Sequence, residues 1–236
     1  MRILLALVAS CSVLCAVEAP RLFPDHSRVV FQGDSITHGG RGGDPNHVIG
    51  HSYVMLIAAP QAAAFPGADL AFFNRGISGN TTANLVDRWQ KDTLAADPTV
   101  VSLLVGVNDL GQTVGKGRAF DPAAYEATYR SLMEKTRAAR PAVRFVLCDP
   151  FVMPGKNTSA ALAAWQQGAA AQRAVVAKLA AEFNAPVVHL QEVFDAAAKA
   201  HPPVEYWVWD GIHPTFAGHQ LIADAWIAAW RQAGAP

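Results

Sequence analysis

Arg28-Val29-Val30-Phe31-Gln32-Gly33-Asp34-Ser35 is a short apolar run that stops at a glycine and delivers a serine. A run this brief, rich in β-branched and aromatic residues, suits a strand buried on both faces, as strands of parallel sheets are. Similar runs follow at Leu70-Ala71-Phe72-Phe73, Val100 to Val105, Arg144 to Leu147 and Val187-Val188-His189-Leu190. Longer helix-like stretches separate them. Asp121-Pro122 opens one that extends to Arg140, with Asp as N-cap and Pro in the first turn. An Ala-rich helix is expected from Ser159 to Phe183, and a last one from Phe216 to Gln232. Strand–helix alternation of this kind predicts an α/β chain, a parallel sheet covered by helices on both faces. Gly39 to Gly50 and Gly111 to Phe120 read as long loops. In such sheets the loops at the carboxyl ends of the strands usually carry the site.

The 236 residues suit one domain and bury a sizeable core without staples. Nineteen Lys and Arg balance nineteen Asp and Glu, and no block of like charge stands out. Nucleic acid and an anionic membrane surface are therefore disfavoured as partners. Residues 1–19 read as an export signal: Arg2 is the positive start, Ile3 to Val17 the apolar core, Val17-Glu18-Ala19 a cleavage triplet with Ala16 as rival. Residues 20–236 then form the mature domain, expected to be secreted or periplasmic with no stable membrane association. Two other readings of the leader stay open. One is a membrane anchor, although the run is shorter than the roughly 20 residues a spanning helix needs. The other is a lipoprotein box at Val8-Ala9-Ser10-Cys11. Cys11 and Cys15 lie in the leader, so Cys148 alone remains, expected as a buried small hydrophobe rather than a catalytic thiol.

Four segments carry chemistry. Gly33-Asp34-Ser35-Ile36-Thr37 sets a serine just past a strand end; the plainer reading is a helix cap. Asn74-Arg75-Gly76-Ile77-Ser78-Gly79-Asn80 has glycines that permit tight turns and close approach to a ligand. In Gly106-Val107-Asn108-Asp109, an asparagine at a strand end can donate its amide to an oxyanion or cap the next turn. Asp210-Gly211-Ile212-His213-Pro214 places Asp and His three apart in a loop before a helix. That spacing can set the carboxylate on one imidazole nitrogen and leave the other free. With Ser35 these residues make the three parts of a nucleophile relay.

In this order, the four segments resemble the sequence blocks of the SGNH hydrolases, also called GDSL esterases and lipases. Gly33-Asp34-Ser35 matches the block that names the family, Gly79 the second-block glycine, Asn108 the third-block asparagine, and Asp210 with His213 the fifth block. The match spans Val29 to Ala223. The first block has Ile36 where the family name implies Leu, a mild departure that leaves the serine in place. No G-x-S-x-G elbow is present, which disfavours an ordinary α/β-hydrolase. The resemblance implies a three-layer α/β/α, flavodoxin-like fold with a five-stranded parallel sheet. It implies a serine esterase with no cofactor: Ser35 the nucleophile, His213 its base, Asp210 the orienting acid, and an oxyanion hole from the Ser35 and Gly79 N–H groups and the Asn108 amide. Asp34 is read as support for the loop. The phrases around Ser35 and His213 look most similar to members that deacetylate sugars, so an acetylated carbohydrate or other small ester is the expected substrate.

Tyr206-Trp207-Val208-Trp209 leads into the Asp210 segment. Trp207 and Trp209 can stack on a sugar ring, or the segment can be a buried strand. His47 and His51 have i,i+4 spacing but lack the acid of H-E-x-x-H and include Gly50, so no metal is expected. A carbohydrate-binding pseudo-enzyme and a flavodoxin-like electron carrier share the expected fold class, because fold does not fix function. Lipase, lysophospholipase, thioesterase and arylesterase activities lie within the resembled family.

Overall fold

Residues 20–234 are described in the computed structural model, so the expected signal segment 1–19 lies outside the described residues. In chain order the regular elements are β1 (Arg28–Gly33), α1 (Ser35–His38), α2 (Tyr53–Ala64), β2 (Ala71–Asn74), α3 (Thr82–Asp92), β3 (Val100–Leu104), α4 (Val107–Gln112), α5 (Pro122–Ala139), β4 (Arg144–Cys148), α6 (Leu162–Phe183), β5 (Val187–Val188), α7 (Leu190–Ala200) and α8 (Phe216–Gln232). The strands form one parallel sheet in the order β2-β1-β3-β4-β5. The expected five-stranded, doubly wound sheet is present.

Alternating side chains build two cores. Val29 and Phe31 join Tyr53, Trp226 and Trp230 on one face, while Val30 joins Leu85, Trp89 and Tyr129 on the other. Val146 and Cys148 follow the first set, Phe145 and Leu147 the second. Fully burying such a side chain is worth about 1.5–3 kcal/mol. Packing of this kind, more than helix propensity, holds the covering helices in place. The buried indoles are satisfied: Trp89 donates to Thr136 Oγ1 at 2.9 Å and Trp226 to Ser102 Oγ at 2.9 Å. Cys148 is a buried free thiol whose pKa burial pushes up, as a small hydrophobe requires.

Two element boundaries differ by more than one residue from the sequence reading. β5 ends at Val188, and Leu190 begins α7, because the Asp149 carboxylate accepts the Leu190 N–H at 2.7 Å and caps a helix there. Residues Ser159–Ala161 form a 3₁₀ turn before α6 starts at Leu162. The stretch 39–50 is irregular, as expected, whereas 111–120 includes the end of α4 and a 3₁₀ turn at Val114–Lys116. Among the described residues, no helix is long and apolar enough to cross a membrane.

Strand order decides where a site can form. The chain leaves β1 toward one edge through β2 and returns to build β3 on the other side, so order reverses between β1 and β3. Crevices in open α/β sheets form at the carboxyl ends of the strands flanking such a reversal. Gly33 and Leu104 are register partners, so Asp34-Ser35 and Val105 to Asn108 leave the sheet side by side.

Candidate active site

Ser35 occupies the first position of α1, where a backbone N–H has no partner within the helix. Gly33 permits the turn into it: a Cβ there would lie 2.3 Å from Thr37 Oγ1 and 2.4 Å from the Leu104 carbonyl. Asp34 caps this short helix by accepting the Ile36 N–H at 3.0 Å. At the other end, the Asn74 amide donates to the carbonyls of Thr37 (2.8 Å) and Ile49 (2.8 Å). The serine is thus fixed by two neighbouring strand ends. Asp34 is buried; burial pushes its pKa up to about 7, with the Ile36 N–H and His213 pulling the other way.

His213 and Asp210 come from a tight turn before α8. Val208 and Pro214 form an antiparallel bridge, and Trp209 N–H donates to the His213 carbonyl at 3.1 Å. At the tip, Asp210 Oδ1 accepts the N–H groups of Ile212 (3.0 Å) and His213 (2.7 Å). The turn therefore folds the Asp210 carboxylate back onto the His213 ring, with Nδ1 2.7 Å from Oδ2. The other ring nitrogen, Nε2, is 2.9 Å from Ser35 Oγ. Burial raises the Asp210 pKa, but the His213 amide and ring and the Ile212 amide outweigh it and hold the carboxylate below its ordinary range. An ionised acid, an oriented imidazole and a hydroxyl in line can move a proton from Ser35 to His213 as the hydroxyl attacks. The His213 side chain is 34 % exposed, so the relay opens to solvent.

The remaining expected residues divide. Asn108, on α4, sends Nδ2 to within 3.1 Å of the Asn80 carbonyl. Gly79, at φ +80°, precedes it in a turn closed by Asn80 N–H to Ile77 O. The Asn108 amide and the Gly79 turn are thus brought together at the strand ends. Asp109 turns the other way and accepts the Thr82 hydroxyl at 2.6 Å and its N–H at 3.2 Å, tying α4 to the start of α3. Trp209 and Trp207 part company. The Trp209 ring is 55 % exposed and stacks on His213, centroids 5.9 Å apart at 23°. Trp207 is half-buried against the core and donates its indole N–H to His201 O at 2.9 Å, so it lies in the scaffold of the turn. The buried-strand alternative for 206–209 does not hold, since only Val208 is fully buried there. His47 and His51 lie with rings 5.8 Å apart, His47 against Asp44. Among the described residues, no three His, Cys, Asp or Glu side chains are placed to hold a metal ion.

Three supporting side chains had no legible signal. Asn157, on the loop after β4, donates Nδ2 to Asp210 Oδ2 at 2.7 Å, sharing that oxygen with His213. Arg88, on α3, joins Asn80 Oδ1 (2.7 Å), Arg75 O (2.7 Å) and Gly33 O (3.2 Å), locking the Gly79 turn to the end of β1. His219, on α8, is held near neutral form: burial and then His213 push its pKa down to about 4. Asn157 lies 53 residues from Asp210 and Arg88 55 residues from Gly33, and only folding reveals these contacts.

The sequence model described as the GDSL-like Lipase/Acylhydrolase family matches residues 31–221. An acetylxylan esterase from Geobacillus stearothermophilus is 32% identical over 209 residues, covering 85% of this chain and 92% of that protein. The crystal structure of an acetylxylan esterase from that organism superposes with a TM-score of 0.76 at 30% identity, covering 90% of this chain and 96% of that one. Its serine, aspartate and histidine variants are described as catalytic mutants, the last two positions three residues apart. A protein from Parabacteroides merdae described as a GDSL-like lipase gives a TM-score of 0.81 at 35% identity, over 90% of this chain and 99% of that one. Fold, site and relatives define a carboxylic ester hydrolase. The chain belongs to the GDSL-like lipase/acylhydrolase, or SGNH, family.

Proposed function

We propose that this esterase removes O-acetyl groups from a xylan-like polysaccharide or oligosaccharide, by way of an acetyl-enzyme on Ser35. The observation that carries the mechanism is the unbroken chain Ser35 Oγ–His213 Nε2 (2.9 Å) and His213 Nδ1–Asp210 Oδ2 (2.7 Å). Ser35 attacks the ester carbonyl while His213 takes its proton. The carbonyl oxygen becomes negative and is met by the Ser35 and Gly79 N–H groups and the Asn108 amide. As the carbonyl–oxygen bond to the sugar breaks, His213 returns the proton to the departing sugar oxygen, which leaves as a hydroxyl, and an acetyl group stays bound to Ser35 Oγ. Water, activated by the same imidazole, releases it and restores the serine.

The substrate class is supported by the exposed Trp209 ring beside His213, since aromatic faces suit the apolar faces of sugars, and by the acetylxylan esterase among the relatives. A reactive group at an open surface also suits a polymer. Export follows from the leader: we infer cleavage near Ala19 and release outside the cytoplasm, which terminal sequencing of the mature protein checks.

Hydrolysis of p-nitrophenyl acetate beside longer acyl esters, for wild type and Ser35→Ala, tests the reading, followed by acetate release from acetylated xylan and pectin. Preference for acetate, an inactive Ser35→Ala and release from a polysaccharide are expected. Preference for long chains would move the substrate to lipids. Full activity in Ser35→Ala would remove the acyl-enzyme.

A further inference from the structure

We propose that Gln172 and Tyr125, neither of which bonds the reacting serine, are positioning residues that hold the strand end carrying Asn108. The proposal rests on the oxyanion role given to Asn108 above. Gly106 joins β3 to α4 at φ +144°, a conformation side chains rarely adopt. A Cβ at this position would lie 2.9 Å from Gln172 Nε2 and 3.0 Å from Tyr125 Oη, so glycine lets both side chains close in. Gln172, on α6 and 0 % exposed, donates Nε2 to the Gly106 carbonyl at 2.7 Å. Tyr125, buried on α5, donates its hydroxyl to the Val105 carbonyl at 2.9 Å. Two consecutive carbonyls are thereby gripped from two helices, just before Asn108.

The grip has a mechanical reason. α4 spans Val107–Gln112, and no side chain caps its start. The Gly106 carbonyl accepts its first bond, from Leu110 N–H at 3.2 Å, so the setting of this one peptide sets the direction of the helix. Asn108 lies on the first turn, and a tilt there moves its amide away from where charge develops.

Gln172 is also a poor choice for stability alone. Its Oε1 is buried with no hydrogen-bond partner among the described residues. A buried amide oxygen left unpaired is destabilising, and an apolar side chain of the same length would avoid it. What glutamine offers at this position is the N–H on Gly106.

The test compares Gln172→Met, Tyr125→Phe, Asn108→Ala and the Gln172→Met/Asn108→Ala double variant, by kcat and KM on p-nitrophenyl acetate and by thermal midpoint. Gln172→Met should lower kcat roughly 10- to 100-fold, the usual consequence of a misplaced group, with KM unchanged. Its thermal midpoint should stay level or rise. Tyr125→Phe should lower kcat in the same sense. In the Asn108→Ala background, Met at position 172 should add no further loss. Wild-type kcat in both single variants would overturn the proposal, as would full additivity in the double variant, or losses of kcat that simply follow losses of thermal midpoint. The parent reading fails separately: a fully active Asn108→Ala would remove the oxyanion role, and the positioning role with it. A slow Asn108→Ala beside an unimpaired Gln172→Met would remove only the latter.

Discussion

Asp34→Asn should stabilise the protein, by an amount that grows as pH rises from 3.8 to about 7. The Asp34 carboxyl is 1 % exposed, and burial pushes its pKa from 3.8 up to about 7. Between those values the folded protein keeps a proton on Asp34 that the unfolded chain has released. Stability therefore falls as pH rises through this window, the reverse of a salt-bridged carboxylate. The whole loss is present above about 7 and absent below 3.8. At about 1.36 kcal/mol for each pH unit, the gap amounts to ~4 kcal/mol. Asparagine keeps the shape and an oxygen for the Ile36 N–H, with no charge to bury. The variant should gain ~4 kcal/mol near pH 8, roughly 8–16 °C in thermal midpoint for a chain of this size. Near pH 4 the two proteins should agree within ~1 kcal/mol, both carrying a neutral group. Urea unfolding followed by tryptophan fluorescence across this range measures the difference directly. Asp109 and Asp149, which burial raises, and His219, which it lowers, titrate in both proteins and cancel to first order. A difference that is flat with pH, or an asparagine variant less stable near pH 8, would refute the reasoning.

Further outcomes follow from the site geometry. Asn108→Ala should lower kcat on p-nitrophenyl acetate by about 100- to 1000-fold, the usual loss for one oxyanion donor, while the circular dichroism spectrum stays that of the wild type. Asn157→Leu removes the second hydrogen bond to Asp210 Oδ2, now 2.7 Å long. The carboxylate then draws harder on the imidazolium, so the acid limb of the kcat/KM profile should move to higher pH; an unmoved limb would make Asn157 a loop residue only. Trp209→Ala should raise KM for acetylated xylo-oligosaccharides roughly tenfold, about the worth of one aromatic contact, and leave p-nitrophenyl acetate within about threefold. Equal losses on both substrates would show that the ring serves His213 rather than the sugar.

Local chemistry made much of this protein legible in its sequence. The five strands could be read because parallel strands buried on both faces are largely apolar, a mark that β1, β3 and β4 carry most fully. Ser35, Asn108 and the Asp210–His213 pair could be read because the turns that hold them are short segments whose geometry is set within a few residues, as Asp210 shows by capping Ile212 and His213. What depends on distant partners could not be read. The fifth strand ends early because Asp149, about forty residues upstream in chain distance, caps α7. Trp207 and Trp209 are the same residue type two positions apart, yet one is tied to His201 and the other lies over His213, a division set by the bridge between Val208 and Pro214. Asn157, Arg88 and Gln172 carry no motif, since a donor aimed at a carbonyl or carboxylate far along the chain can sit in any sequence context. Sequence determined which groups gather at the site and on which kind of sheet; tertiary structure decided how they are aimed, because hydrogen-bond direction and burial depend on elements that meet only after the chain has folded.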